Sequence, residues 1–222
     1  MSSVDERKNV KDFFQGYAKE FHDIYAGESK GGLGRFLDAW LRNSMFTRFD
    51  EAFVEIKKCG AKSVLDVGCG PGTHDVILAK NLGTKVTGVD VAASMIELAK
   101  GNAEKGGVSS LCEFALGDFD AFAGRARFDA VLSLGVVEYI KEPGPFVRKM
   151  FELANQKVIF SLPVKWNVLT PQRALRYKLR NCPLWFYSES EIASFLRKHG
   201  MERFCIHDLG RDYLVVVDGI GK

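Results

Sequence analysis

At 222 residues, with 46% apolar and 27% charged positions and a net charge of +3, the chain has the size and composition of one globular domain with a substantial core. The charge excess is too small to argue for nucleic acid or a membrane surface as partner. No apolar run approaches the roughly 20 residues that span a bilayer, and the charged opening MSSVDERKNV lacks a signal-peptide core.

Residues 1–60 read as a helical cap, since Phe13, Phe14, Tyr17, Phe21 and Tyr25 recur at spacings of one, three and four. From residue 61 to 222 the pattern changes to a core of alternating strands and helices. Apolar runs at Ser63–Val67, Lys85–Val89, Leu111–Leu116, Phe128–Leu134 and Lys157–Leu162 predict strands, with helices at 73–81, 94–104 and 144–153 between them. That alternation implies parallel strands joined by right-handed crossovers in an open α/β sheet. An insertion at 163–188 follows the fifth strand and holds a helix of its own, with Thr170 as N-cap and Pro171 in its first turn. The next helix, 189–199, opens on the capping-box pattern Ser188-Glu189-Ser190-Glu191. The last runs, Arg203–His207 and Tyr213–Val217, are separated by too few residues for a crossover and must be antiparallel neighbours. The five cysteines (Cys59, Cys69, Cys112, Cys182 and Cys205) are odd in number and at least ten positions apart. They suit packed thiols in a reducing cytoplasm better than a disulfide framework or a zinc cluster.

The chemistry starts at Val64-Leu65-Asp66-Val67-Gly68-Cys69-Gly70-Pro71-Gly72, a strand that runs into a glycine-rich turn and then a helix. Ligands of open α/β sheets bind at such strand ends. A dinucleotide fingerprint would read G-x-G-x-x-G, but here the third glycine comes one residue early and Thr73 stands in its place. Asp66 would also repel a pyrophosphate, whereas it suits a cationic amine or sulfonium. A phosphate-binding loop of the Walker type is excluded because no Gly-Lys-Ser/Thr follows.

Asp66 to Gly72 resemble the first motif of the class I methyltransferases that use S-adenosylmethionine, an acidic residue followed by G-x-G-x-G. Three further stretches extend the resemblance over roughly residues 63–217. Asp90 closes the second strand, Gly117-Asp118-Phe119 follows the third, and Phe128–Tyr139 resembles the fourth strand with its exit. The resemblance implies a Rossmann-like, mostly parallel seven-stranded sheet with an antiparallel C-terminal hairpin and helices on both faces. It also implies S-adenosylmethionine as methyl donor, S-adenosylhomocysteine as product, and no required metal. Gly68, Cys69 and Gly70 would border the donor. Asp90 would bind both ribose hydroxyls, since a carboxylate accepts readily from a vicinal diol. Val91 and Met95 would pack along the adenine, Asp118 would accept from its amino group, and the backbone N–H of Phe119 would meet the ring. Leu134 would lie beside the methionyl part, Tyr17 near the donor, and Arg42 or Arg48 would pair with its carboxylate. Each residue also has a plainer reading, as a strand-end carboxylate, a turn aspartate or a core methionine. Their order at four successive strand ends favours the donor.

On the acceptor side, Glu138 and Tyr139 occupy the place where the small-molecule branch of the family commonly has Glu-His, and His74 follows the glycine loop. These three are the candidate catalytic residues, and the tyrosine weakens any mechanism built on a histidine base. The Asn/Asp-Pro-Pro-Tyr/Phe motif of base-amino methyltransferases and the doubled-glutamate loop of protein arginine methyltransferases are missing. The fourth-strand exit is most similar to quinone-type small-molecule methyltransferases. Phe13-Phe14-Gln15-Gly16 and Ile24-Tyr25-Ala26-Gly27 are faintly similar to the magnesium-protoporphyrin enzymes. Between Pro163 and Tyr187 the charges are Lys165, Arg173, Arg176, Lys178 and Arg180, interleaved with aromatics and with no acid. The segment predicts a lid in which Arg173, Arg176 and Tyr177 meet an anionic, partly apolar small-molecule acceptor. The competing readings are an RNA or protein methyltransferase, supported by the same basic segment, and a non-catalytic donor-binding module.

Overall fold

The structure, a computed structural model, describes residues 47–119, 127–168, 170–179 and 181–219. A helix over residues 47–59 (α1) precedes β1 (Ser63–Val67), α2 (Thr73–Leu82), β2 (Lys85–Asp90), α3 (Ala93–Lys105), β3 (Cys112–Leu116) and β4 (Phe128–Ser133). A single 3-10 turn, Val137–Tyr139, leads to α4 (Pro143–Leu153), β5 (Ala154–Pro163), α5 (Thr170–Leu179), α6 (Glu189–Lys198), β6 (Phe204–Asp208) and β7 (Asp212–Asp218). The seven strands lie in the order β3-β2-β1-β4-β5-β7-β6. The first five are parallel to one another, whereas β7 runs antiparallel to both β5 and β6. The expected architecture is therefore present.

The central strands carry apolar residues on both faces, as a sheet covered on both sides requires. On one face Leu65, Val67 and Val131 pack with Val147 and Met150 of α4 and Ile192 and Leu196 of α6. On the other, Val64, Ala130 and Leu132 pack with Phe49, Ala52 and Ile56 of α1 and Leu78 of α2. The described end of the predicted cap is thus part of the core layer. The remainder of that segment, including Tyr17, Arg42 and the other aromatic positions, lies outside the described residues.

One expected boundary moves. β5 starts at Ala154, directly from the end of α4, three residues before the apolar run that predicted it. Its polar start, Asn155 and Gln156, falls in a register shift, since Phe128 pairs with Ala154 but Ala130 with Lys157. The capping box forms as read: the Ser188 side chain accepts from the Glu191 N–H, and the Glu191 carboxylate accepts from the Ser188 N–H. Thr170 turns its hydroxyl back to the Val164 carbonyl at 3.0 Å, tying α5 to the end of β5. Ser188→Ala should lower unfolding stability by about 1 kcal/mol, measured by urea denaturation; no change would mean the cap carries no energy.

Candidate functional site

Adjacent strands bring the predicted donor residues together. The sheet order sets the carboxyl ends of β3, β2, β1 and β4 side by side, so Asp118, Asp90, Asp66 and Leu134 follow along one edge. The glycine loop is stapled to β2, because the N–H groups of Gly68 and Cys69 both donate to the Val89 carbonyl, at 2.7 and 3.1 Å. Gly68 has φ +79°, and a Cβ there would sit 2.2 Å from Val136 Cγ2. Gly70 has φ +53°, yet nothing lies within 4 Å of where its Cβ would stand. Gly68 is required by a neighbour, whereas Gly70 faces open space.

Asp90 joins this loop to the next turn. Its Oδ2 accepts from the Gly70 N–H at 3.0 Å and its Oδ1 from the Ala92 N–H at 2.8 Å. Burial raises its pKa, opposed by those backbone donors. Each oxygen keeps capacity for another donor, since a carboxylate offers about four lone-pair sites. Gly117 anchors the third strand end to the second through its N–H and the Asp90 carbonyl, 2.9 Å, and leaves Asp118 exposed at the tip. The Phe119 side chain turns into the core against Phe146, with ring centroids 5.0 Å apart, so its backbone is what remains for a ligand. Val91 is half-buried, and Met95 is fully buried in a small cluster with Ala92 and Leu98. Leu134 is half-buried against the second core cluster.

Asp66 has a companion that sequence reasoning missed. It is buried beneath the loop with Asp75 of the first turn of α2. Burial pushes Asp66 up to about 7, with the Asp75 hydrogen bond opposing and Asp90 adding repulsion. Burial first, and then Asp66, holds Asp75 well above the carboxylate range. Burial thus holds both carboxyls toward their neutral forms. Together with Asp90 they make the underside of the loop acidic in composition, which suits a cationic amine or sulfonium better than a pyrophosphate. His74, next to Asp75, stacks on Phe49 of α1 at 4.3 Å and 7°. Burial pulls its pKa down to about 3, with Arg48 adding to the effect. So weak a base is poorly suited to proton abstraction near neutral pH.

The acceptor side is built around charges. Arg173 of α5 is buried, donating to Asp212 Oδ1 at 2.7 Å and to Glu138 Oε1 at 2.9 Å. Asp212, at the start of β7, also lies 3.7 Å from Arg48 of α1. Arg48 reaches Ser161 Oγ at 3.4 Å, and the same oxygen accepts from the Gly135 N–H at 2.9 Å. Although the insertion has no acid of its own, acids from the fourth-strand exit and the seventh strand occupy the Arg173 guanidinium. Burial raises the Glu138 pKa against the pull of Arg173 and Arg48. For Asp212 burial is outweighed by Arg48, Arg173 and Arg211, which lower it. Tyr139 and Tyr177 face each other across the 3-10 turn and α5, with hydroxyls 3.4 Å apart. Arg176 sets its guanidinium 5.3 Å from the centre of the Tyr177 ring.

A family profile described as a methyltransferase domain matches residues 59–175, more than half the chain. The chain belongs to that family. The methyltransferase is similar to a ubiquinone biosynthesis O-methyltransferase of Nitrobacter winogradskyi, 25% identical over 207 residues that cover 82% of this chain and 78% of the relative. A protein of that name from Bradyrhizobium sp. is 27% identical over 167 residues, which cover 71% of this chain and 65% of the relative, slightly under two-thirds of its length. In fold it resembles the magnesium protoporphyrin IX methyltransferase of Synechocystis, crystallised with S-adenosylhomocysteine. Their TM-score is 0.76 at 19% identity, over 96% of this chain and 99% of that one. No described helix of the methyltransferase is long and apolar enough to cross a membrane.

The carboxyl pair has a consequence for stability. The unfolded chain releases both protons near pH 4, while in the folded protein Asp66 holds its proton up to about 7 and Asp75 is also raised well above the carboxylate range. The Asp66 contribution is fully present below about pH 4 and is lost as pH rises through about 7. Asp75→Asn, which removes one of the two buried carboxyls, should raise the melting temperature at pH 8 and flatten its decline between pH 4 and 8. An unchanged melting curve at pH 8 would show that the pair stores no strain.

Proposed function

We propose that the protein transfers the methyl group of S-adenosylmethionine to an oxygen of a small, partly apolar acceptor bearing an anionic group. The observation that carries the donor half is the Asp90 carboxylate, held by two backbone donors below the open space at Gly70. Asp66, Gly68, Cys69, Asp118 and the Phe119 backbone line up beside it. The relatives named as O-methyltransferases support oxygen as the atom methylated. The unpaired cysteines among the described residues support a reducing cytoplasmic setting.

When bound, the donor supplies a methyl already activated by its positive sulfur. The chain's own residues then have to align the acceptor and exclude water. If a hydroxyl is methylated its proton must leave, and Glu138 is the group suited to take it. Its Oε2 is buried without a hydrogen-bond partner, and its raised pKa brings it closer to a useful base. Tyr139 and Tyr177 would border an apolar acceptor. Arg173 is occupied by acids, so the anionic group falls to Arg176, whose buried Nε also has no partner among the described residues.

A labelled-methyl assay with S-adenosylmethionine and a panel of phenolic and carboxylated metabolites tests the reading. Turnover with accumulation of S-adenosylhomocysteine is expected; donor binding with no turnover on any acceptor would point to a binding module instead. Arg176→Ala should raise the acceptor KM about tenfold or more, the worth of a charged hydrogen bond. An unchanged KM would remove the anionic acceptor from the account.

A further inference from the structure

The buried ion cluster joins parts of the chain that no local sequence feature connects. Glu138 lies on the turn after β4, Arg173 on the inserted helix α5, Asp212 at the start of β7 and Arg48 on α1. Asp212 is the common member. Its Oδ1 takes the Arg173 guanidinium at 2.7 Å and its Oδ2 faces Arg48 at 3.7 Å. It therefore ties the inserted helix on one side and the N-terminal helix on the other to the edge of the sheet. α5 has few other anchors: Arg173 is its one buried side chain, while Leu175 and Leu179 are largely exposed. A short helix with so little apolar burial takes its place from its polar contacts. Its N-terminus is fixed by Thr170 to Val164 and its middle by Arg173.

We propose that Asp212 is a positioning residue for methyl transfer, acting through Arg173 to hold α5 and the Glu138 carboxylate in place over the acceptor. This rests on the proposed function for its kinetic consequence, though not for its structural one. Asp212 is buried behind Arg173 and acts through it. It orients the guanidinium, and the guanidinium in turn leaves Glu138 Oε2 as the oxygen without a partner. Removing the Asp212 charge leaves a buried guanidinium half-compensated, a state that a buried ion pair tolerates poorly. The helix that carries Arg173 should then loosen, and the acceptor wall with it. Asp90 and the glycine loop take their hydrogen bonds from β2 and the turn after it, away from Asp212, and should not respond.

Four variants of the full chain test this: Asp212→Asn, Arg173→Met, their combination, and Arg173→Lys. Amide hydrogen exchange is the first readout and needs no acceptor. Asp212→Asn should accelerate exchange in α5 at least tenfold while β1, β2 and β4 keep their protection. Uniform acceleration through the sheet, or none in α5, would overturn the proposal. Calorimetric titration with S-adenosylhomocysteine should give dissociation constants within about twofold of wild type. Once an acceptor is in hand, Asp212→Asn should lower kcat/KM for it by at least tenfold. The double variant should be no worse than Arg173→Met alone, because two residues acting through one contact are not additive. Losses that multiply would show that Asp212 acts independently of Arg173. Arg173→Lys, which keeps the charge and folds more readily, should recover part of the acceptor kinetics lost in Arg173→Met; equal defects would also overturn the proposal. If the unmodified protein transfers no methyl group, the functional reading fails while the exchange result still decides the role of Asp212.

Discussion

A single carboxylate organises the donor half of this molecule. Asp90 closes the second strand and accepts from backbone N–H groups on both sides, Gly70 in the glycine loop and Ala92 at the entrance to α3. The loop is also tied to the same strand by the Val89 carbonyl. The turn thus keeps its shape without help from a ligand, and its open side remains available. Placing an anion here costs desolvation, as the raised pKa of Asp90 records. The cost is offset by the backbone donors.

The two halves of the site differ in how they manage buried charge. Beneath the glycine loop, Asp66 and Asp75 are buried together, and burial holds both carboxyls above their ordinary range. On the acceptor side, acids and arginines compensate one another so closely that Arg173 is stabilised in its charged form, Asp212 and Glu138 outweighing burial. The first arrangement selects a ligand by charge. The second fixes geometry, since buried ions that face one another contribute more to a unique arrangement than to net stability.

Much of the donor half was legible because its signals are local. The order of glycines, the aspartate at the end of the second strand and the Ser188 capping box are all set by neighbours within a few positions, and each takes its expected place. Asp75 escaped notice because an acid in a first helical turn is explained equally well by the helix dipole. Only the fold sets it against Asp66. The acceptor half was less legible. Counting charges inside the insertion suggested an uncompensated basic lid, but the partners of Arg173 are 35 and 39 positions away. Asp212 reads as a solvated end of an apolar strand until β7 is placed beside β5. The early start of β5 was hidden because Asn155 and Gln156 resemble a loop.

Everything about the donor depends on a vicinal diol meeting Asp90, and this can be measured without altering the protein. Calorimetric titration should compare S-adenosylhomocysteine with its 2′,3′-dideoxyribose counterpart. Two hydrogen bonds to a charged acceptor predict that the dideoxy compound binds at least about a hundredfold more weakly. Equal affinities for the two compounds would contradict the account at its root.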